Sequence, residues 1–236
     1  MPNAASPPGS NPEYAYKNAI GPKKDDRYSP KALAINRFFN RPLAGLLVHA
    51  LYKTRVTPNQ VTVGAFALAM AGAYFFHFGR PWAFALGGVL AQLSSIVDCA
   101  DGMLARARGQ SSEYGASLDL LLDRVDEFFL LSGAVLGFYA ASGRTGMLIL
   151  GFLGTAAFFL LTTLFYLIKN YRHDMAQGEA AENRSWLMAL LCVFGVLNRM
   201  DLGIYTLAAA MAGSILVVIV VFFRLRPPSP EGPPAA

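Results

Sequence analysis

Six apolar runs dominate the sequence and limit what it can fold into. They cover residues 58–78, 81–101, 115–141, 146–168, 185–198 and 202–223. A helix needs about 20 predominantly apolar residues to cross a bilayer, and every run except the short fifth one reaches that length. The chain is 54% hydrophobic and only 15% charged, whereas a soluble domain carries about 25% charged residues. The sequence therefore predicts an all-α, polytopic membrane protein with six transmembrane helices.

The segments outside these runs divide the chain into four parts. Residues 1–30 are polar and rich in Pro, Gly and Asn, and residues 226–236 are rich in Pro, so both predict flexible tails. Residues 31–56 carry apolar side chains near helical spacing with Lys, Arg and His between them. This pattern predicts a juxtamembrane amphipathic helix at the membrane surface, although a cytoplasmic helix packed on the membrane domain fits it equally well. Residues 57–225 form the membrane domain.

The positions of the basic residues predict the orientation of the chain. With six spans and a cytoplasmic N-terminus, all but four of the 20 Lys and Arg residues fall on the cytoplasmic side. The four exceptions are Arg80, Arg124, Arg144 and Arg199. This asymmetry follows the positive-inside pattern. Both termini, and both ends of the hairpin around residues 98–123, are therefore expected on the cytoplasmic side of the cell membrane. The net charge of +5 then matches an anionic lipid surface and not a nucleic acid.

Four carboxylates lie at the ends of the second and third runs, where charged groups are costly and usually functional. Asp98 and Asp101 are three residues apart, and Asp119 and Asp123 are four apart, so each pair lies on one face of its helix. If the two helices are antiparallel neighbours, the four groups converge, and they cannot all be ionised without compensation. A hard divalent cation such as Mg²⁺ supplies that compensation and shares its ligand shell with substrate phosphates.

The connection between the two pairs adds groups suited to a phosphate ligand. Gly102, Gly109 and Gly115 allow close approach of the backbone to a ligand. Arg106 offers a guanidinium fork that matches phosphate oxygens. Together with a metal, these groups indicate a pyrophosphate substrate, with one carboxylate free to accept a proton from a hydroxyl nucleophile.

These residues form a pattern that resembles the signature of the CDP-alcohol phosphotransferases. The pattern is Asp98-x2-Asp101-Gly102-x2-Ala105-Arg106-x8-Gly115-x3-Asp119-x3-Asp123, with every fixed position present. The resemblance extends to Thr57-Pro58-Asn59, to the Asp123-Arg124 pair and to the six-helix layout, over roughly residues 31–225.

The resemblance implies roles that the spacing alone leaves open. Asp98, Asp101 and Asp119 are expected to bind two Mg²⁺ or Mn²⁺ ions, with Asp123 as a further ligand or as the catalytic base. The CDP group is expected to contact Asn59, Gly102, Ala105, Arg106 and Gly115. The implied reaction is attack of an alcohol on the CDP-linked phosphorus, with release of CMP, in a homodimeric enzyme of phospholipid synthesis. CDP-diacylglycerol and a soluble CDP-alcohol both remain open as donors, and we favour the first.

The acceptor alcohol is harder to predict. Residues 23–55 look like the lead-in of the subgroup that uses inositol phosphates, and residues 198–201 resemble that subgroup imperfectly. A phosphorylated acceptor needs cationic partners, for which Lys169, Arg172 and His173 at the end of the fourth run are the candidates. The same three residues also fit a purely anchoring role at the membrane surface.

Two other functions use similar residues. Membrane prenyltransferases bind a pyrophosphate through Asp-rich helices and Mg²⁺, but their two acidic motifs lie far apart in sequence. A divalent-cation transporter would line an ion path with carboxylates, and it predicts polar residues deeper in several spans. Here the four aspartates cluster between Asp98 and Asp123, which favours the transferase.

Overall fold

The protein is described here from a computed structural model that covers residues 36–171 and 179–224. Within those two ranges every regular element is helical, which confirms the all-α prediction. A π-helical turn, Asn36–Asn40, leads into the first α-helix. The α-helices are α1 (Arg41–Leu51), α2 (Pro58–His77), α3 (Pro81–Ala107), α4 (Glu113–Ser142), α5 (Thr145–Tyr171), α6 (Glu179–Val196) and α7 (Met200–Arg224). The tails predicted at 1–30 and 226–236 lie outside the described residues, as do residues 31–35 of the predicted juxtamembrane helix.

Three of these helices, α2, α3 and α4, are long and apolar enough to cross a membrane, judged by length and composition within the described parts of the chain. Shorter apolar stretches occupy Thr145–Leu160 and Arg184–Val196. The helix α3 continues past residue 101 to Ala107, and α6 begins at Glu179, well before residue 185. The predicted bounds followed hydropathy alone. Glu, although polar, and Ala both favour helix as well, so a helix can extend beyond its apolar run. The count of six spans stays a prediction.

The turn into α2 is stabilised by hydrogen bonds between its own residues. Thr57 caps the helix: the Gln60 backbone N–H donates to Thr57 Oγ1 at 3.3 Å, and the Thr57 backbone N–H donates to Gln60 Oε1 at 2.9 Å. Pro58 occupies the first turn, where its missing N–H costs nothing. This reciprocal capping box satisfies two donors that a helix start otherwise leaves unpaired. The first turn of α2, which carries Asn59, is therefore fixed by its own sequence.

The helix α2 packs against both α3 and α4. Glycines make this close approach possible. A methyl group at Gly72 would lie 3.0 Å from the Gly87 carbonyl oxygen of α3, and one at Gly133 of α4 would lie 2.6 Å from the Ala73 carbonyl oxygen. The helices α3 and α4 make few direct contacts with each other, and each of them packs on α2.

A buried network of polar side chains joins the turn before α1 to α3 and α6. Asn40 Nδ2 donates to Asn36 Oδ1 at 3.0 Å and to Ser95 Oγ at 3.2 Å, and Gln92 Nε2 donates to Asn40 Oδ1 at 2.7 Å. Ser185 Oγ of α6 donates to Asn36 Oδ1 at 2.7 Å. Because buried polar groups are costly when unpaired, these bonds fix where the N-terminal part of the described chain meets α3 and α6.

Candidate metal and nucleotide site

Three of the four predicted carboxylates come together between α3 and α4. Asp98 of α3 and Asp119 and Asp123 of α4 each offer one carboxylate oxygen, and the three oxygens lie within 4.8 Å of one another. Asp119 and Asp123 share a face of α4 because they are four residues apart. Both α3 and α4 pack on α2, and Asp98 of α3 lies close to that face of α4. These three residues are called the aspartate cluster below.

Asp101, the fourth predicted ligand, lies next to the cluster but is not part of the three-oxygen group. It is buried, interacts electrostatically with Asp98 and Asp119, and has the Thr62 hydroxyl within hydrogen-bonding reach. Its position one helical turn after Asp98 explains why it points to the same side of α3. Asp101 is therefore available to the site from the α2 side.

Arg184 of α6 reaches into the cluster, and the sequence analysis missed it. Its guanidinium pairs with Asp98 at 2.7 Å, with Asp123 at 3.2 Å and with Asp126 at 2.6 Å. The side chain is only 4% exposed. The positive-inside count treated this arginine as a loop charge, whereas α6 extends back far enough to bury it. One sequence signal pointed to it: Asp126 and Glu127 are two consecutive acids in an apolar run, with only Arg124 nearby.

The structure also resolves which acid pairs with Arg124. Its Nη1 atom donates to Glu127 Oε2 at 2.6 Å, and Arg184 takes Asp126 instead. Both acids are almost fully buried. A buried carboxylate needs a charged partner or a proton. Arg124 is that partner for Glu127, and Arg184 is that partner for Asp126.

The aspartate cluster fits a divalent cation. Asp101 Oδ2 and Asp119 Oδ1 are shielded from solvent and have no hydrogen-bond partner within residues 36–171 and 179–224. Carboxylate oxygens are the ligands that Mg²⁺ and Mn²⁺ prefer. If Asp126 and the four predicted ligands are all ionised, Arg184 offsets one of their five negative charges. The remaining four equal the charge of two divalent cations.

The predicted nucleotide contacts form two pairs on either side of the α3–α4 connection. A methyl group at Gly102 would lie 3.2 Å from Arg106 Nη1, so the absence of a side chain at Gly102 leaves room for the guanidinium. A methyl group at Gly115 would lie 3.3 Å from Asn59 Oδ1, which places the first turn of α2 against the first turn of α4. Ala105 is half-buried on α3. The structure therefore brings Asn59 to Gly115 and Arg106 to Gly102.

Only one of the three predicted acceptor contacts lies within the described residues. Lys169 lies in the last turns of α5, while Arg172 and His173 lie outside the described residues. These three positions remain predictions.

The fold and the site together define a class: a helical protein with membrane-length apolar helices and a group of aspartates arranged to hold a metal ion. A sequence model of the CDP-alcohol phosphatidyltransferase family matches residues 55–225. The match covers well over half of the chain, and the protein belongs to this family.

Several curated relatives share the central part of the sequence. A bifunctional IPC transferase and DIPP synthase of Rubrobacter xylanophilus is 44% identical over 103 residues, which are 44% of this chain and 23% of the relative. An archaetidylinositol phosphate synthase of Pyrococcus horikoshii is 34% identical over 82 residues, 35% of this chain and 42% of the relative. A phosphatidylinositol phosphate synthase of Mycobacteroides abscessus is 36% identical over 98 residues, 41% and 42% of the two chains. The matched region thus spans less than half the length of each.

Solved structures share the fold over most of the chain. A phosphatidylinositol phosphate synthase of Mycobacterium tuberculosis with CDP-DAG bound superposes with a TM-score of 0.63 at 18% identity, covering 83% of this chain and 100% of the other. The same enzyme in complex with manganese and citrate also gives 0.63, at 19% identity, covering 80% and 93%.

Proposed function

We propose that this protein is an integral-membrane transferase that moves a substituted phosphate from a CDP-alcohol, CDP-diacylglycerol, to the hydroxyl of an acceptor alcohol. The observation that carries the proposal is the convergence of Asp98, Asp119 and Asp123 within 4.8 Å, next to the pairs Asn59–Gly115 and Arg106–Gly102. The first supplies a metal site and the second a surface for a nucleotide pyrophosphate. Family membership and the structure of a neighbour with CDP-DAG bound support the same donor.

Each group then has a role in the reaction. Asp98, Asp101, Asp119 and Asp123 hold Mg²⁺ or Mn²⁺, which when bound stabilises negative charge on the pyrophosphate. Arg106 binds a phosphate oxygen of the donor, and Asn59 holds the nucleotide across from it. The Asp123 carboxylate accepts the proton of the acceptor hydroxyl as its oxygen bonds to the CDP-linked phosphorus. The bond between that phosphorus and the bridging oxygen breaks, and CMP leaves with the electron pair.

An inositol phosphate is the acceptor we propose. Relatives that share 34–36% of matched residues are named as synthases of phosphatidylinositol phosphate and archaetidylinositol phosphate. Lys169, Arg172 and His173 are the candidates that would bind the phosphate of such an acceptor. The remaining predictions belong to the same proposal: six spans, a juxtamembrane helix at residues 31–56, a homodimer, and a site on the cytoplasmic side of the cell membrane.

The test is an assay of CMP release by the purified protein in detergent with Mn²⁺ or Mg²⁺ and CDP-diacylglycerol. An acceptor panel of inositol phosphate, free inositol, serine, glycerol phosphate and choline separates the acceptor classes. We expect release with inositol phosphate, and faster release with another member of the panel would overturn that acceptor. Release with none of them would overturn the transferase and leave the prenyltransferase or the cation transporter to be tested.

The role of Asp123 has a matched control. Asp123→Asn should lower CMP release by at least about 100-fold, because positioned general bases contribute about 10²–10⁴ in rate. Asp201→Asn removes a carboxylate of the same kind at the start of α7, where it pairs with Arg199, and should stay within about twofold of wild type. Turnover near the wild-type rate in Asp123→Asn would refute the assigned role.

A further inference from the structure

Arg108, the residue that directly follows α3, donates hydrogen bonds from its side chain to the backbone of another segment. Its Nη2 atom donates to the carbonyl oxygens of Leu51 at 2.5 Å, Tyr52 at 3.0 Å and Thr54 at 3.0 Å. Its Nη1 atom donates to the carbonyl oxygen of Val56 at 2.5 Å. Its Nε atom donates to Tyr52 at 3.3 Å. One guanidinium therefore binds four carbonyls of the connection between α1 and α2.

This arrangement uses most of what the side chain can offer. An arginine has five N–H donors in a rigid fork, and here all three nitrogens are engaged by carbonyl oxygens. The carbonyls at the end of a helix lack partners within it, so Arg108 serves as their cap. Little donor capacity remains for a phosphate, which distinguishes Arg108 from Arg106 two residues earlier, whose side chain is exposed.

The clamped connection ends at the residues that begin α2. Thr57 caps α2 immediately after Val56, and Asn59 in the first turn faces Gly115 of α4. Arg108 itself follows Arg106 at the end of α3. The clamp consequently ties together the two sides of the nucleotide surface, the Asn59 side and the Arg106 side.

We propose that Arg108 is a positioning residue for the donor nucleotide. It does not contact the donor; it fixes residues 51–56 so that Asn59 stays opposite Gly115. This inference rests on the proposed function, since it assigns Asn59 a contact with CDP. The aspartate cluster lies on α3 and α4, whereas Arg108 bonds to carbonyl oxygens of residues 51–56, so replacing Arg108 should leave the chemical step and the binding of metal unchanged.

The first experiment measures CMP release against donor concentration, at saturating Mn²⁺ and acceptor. Arg108→Gln should raise the donor KM about tenfold, a loss of about 1.4 kcal/mol of binding, with kcat within about twofold. Arg108→Lys restores one charged donor and should recover part of the loss. Arg55→Gln is the matched control, because it removes the same charge from an exposed side chain of the same connection, and its donor KM should stay at the wild-type value.

A double variant tests whether Arg108 acts through Asn59. Asn59→Ala should raise the donor KM, and adding Arg108→Gln should raise it little further, because coupled residues are not additive. Independent, multiplying effects would overturn the inference. So would an equal rise in KM for Arg55→Gln, which indicates general charge attraction, or a fall in kcat with the donor KM unchanged.

Hydrogen exchange separates this inference from the proposed function. Arg108→Gln should speed amide exchange of residues 51–60 and leave residues 115–125 unchanged, whether or not the protein releases CMP. If the wild-type protein releases CMP and Arg108→Gln changes neither the amide exchange nor the donor KM, the positioning role alone is refuted. Faster exchange in a protein that releases no CMP would confirm the clamp while overturning both the transferase and the donor role of Arg108.

Discussion

Arg184 gives the sharpest prediction about stability. It is the buried cation that Asp98, Asp123 and Asp126 share, at 2.7, 3.2 and 2.6 Å. Replacing it by glutamine keeps much of the side-chain volume but removes the positive charge. Three carboxylates of the site then face one another without their arginine, in addition to Asp119. We expect the variant to fold with markedly lower stability when no divalent cation is present.

The magnitude follows from the burial of the group. Removing one partner of a buried ion pair costs about 3–5 kcal/mol, because the remaining charge stays buried. For a chain of this length each 1 kcal/mol lowers the Tm by roughly 2–4 °C. Arg184→Gln should therefore lower the Tm by about 6–20 °C without metal. Mn²⁺ should raise the Tm of the variant by more than that of the wild type, because added cations replace the missing positive charge.

The assay is thermal unfolding in detergent followed by tryptophan fluorescence. Trp186 lies two residues from Arg184 and reports on the same part of α6. Arg199→Gln is the control, since it breaks an exposed pair with Asp201 at 3.1 Å, and such pairs contribute about 0–1 kcal/mol. Adding Asp126→Asn to Arg184→Gln should restore part of the loss by removing one uncompensated charge.

Two outcomes would refute this reasoning. A Tm of Arg184→Gln no lower than that of Arg199→Gln would show that the site does not depend on the arginine. A Tm difference that Mn²⁺ leaves unchanged would show that the metal and Arg184 do not act on the same carboxylates.

Three further substitutions test other parts of the structure. Asp119→Asn should weaken Mn²⁺ binding at least tenfold by calorimetry, because it removes one oxygen of the three-carboxylate group, and unchanged affinity would remove this residue from the site. Gly102→Ala should raise the donor KM severalfold while the Tm stays within about 3 °C, since the added methyl group meets only the flexible end of Arg106 at 3.2 Å. Gly137→Ala should prevent recovery of folded protein, because its methyl group would overlap the Phe76 carbonyl oxygen of α2. A normal elution profile of this variant in size-exclusion chromatography would contradict the close crossing of α2 and α4.

The local features of this protein could be read from the sequence because their causes are local. Apolar runs predict helices long enough for a membrane, and Thr57-Pro58 marks the start of α2 through a cap that involves only its own neighbours. Helical periodicity places Asp119 and Asp123 on one face whatever the rest of the chain does. The complete aspartate pattern, with its glycines and Arg106, likewise depends only on spacing, and it led to the family that the sequence model confirms.

The long-range pairings came from the tertiary structure alone. Arg184 and Asp126 are 58 residues apart, and the identity of the cation that neutralises a buried acid depends on which helices meet. The same holds for Arg108 and the carbonyls of residues 51–56, and for the packing of both α3 and α4 on α2. Hydropathy begins α6 too late and leaves Arg184 in a loop, because it measures transfer from water and not the charge of a neighbouring helix. The sequence by itself determined which helices form and where the aspartates lie on them. The packing on α2 and α6 decided that Asp98, Asp119 and Asp123 share a volume with an arginine, since burial makes each carboxylate depend on its nearest opposite charge.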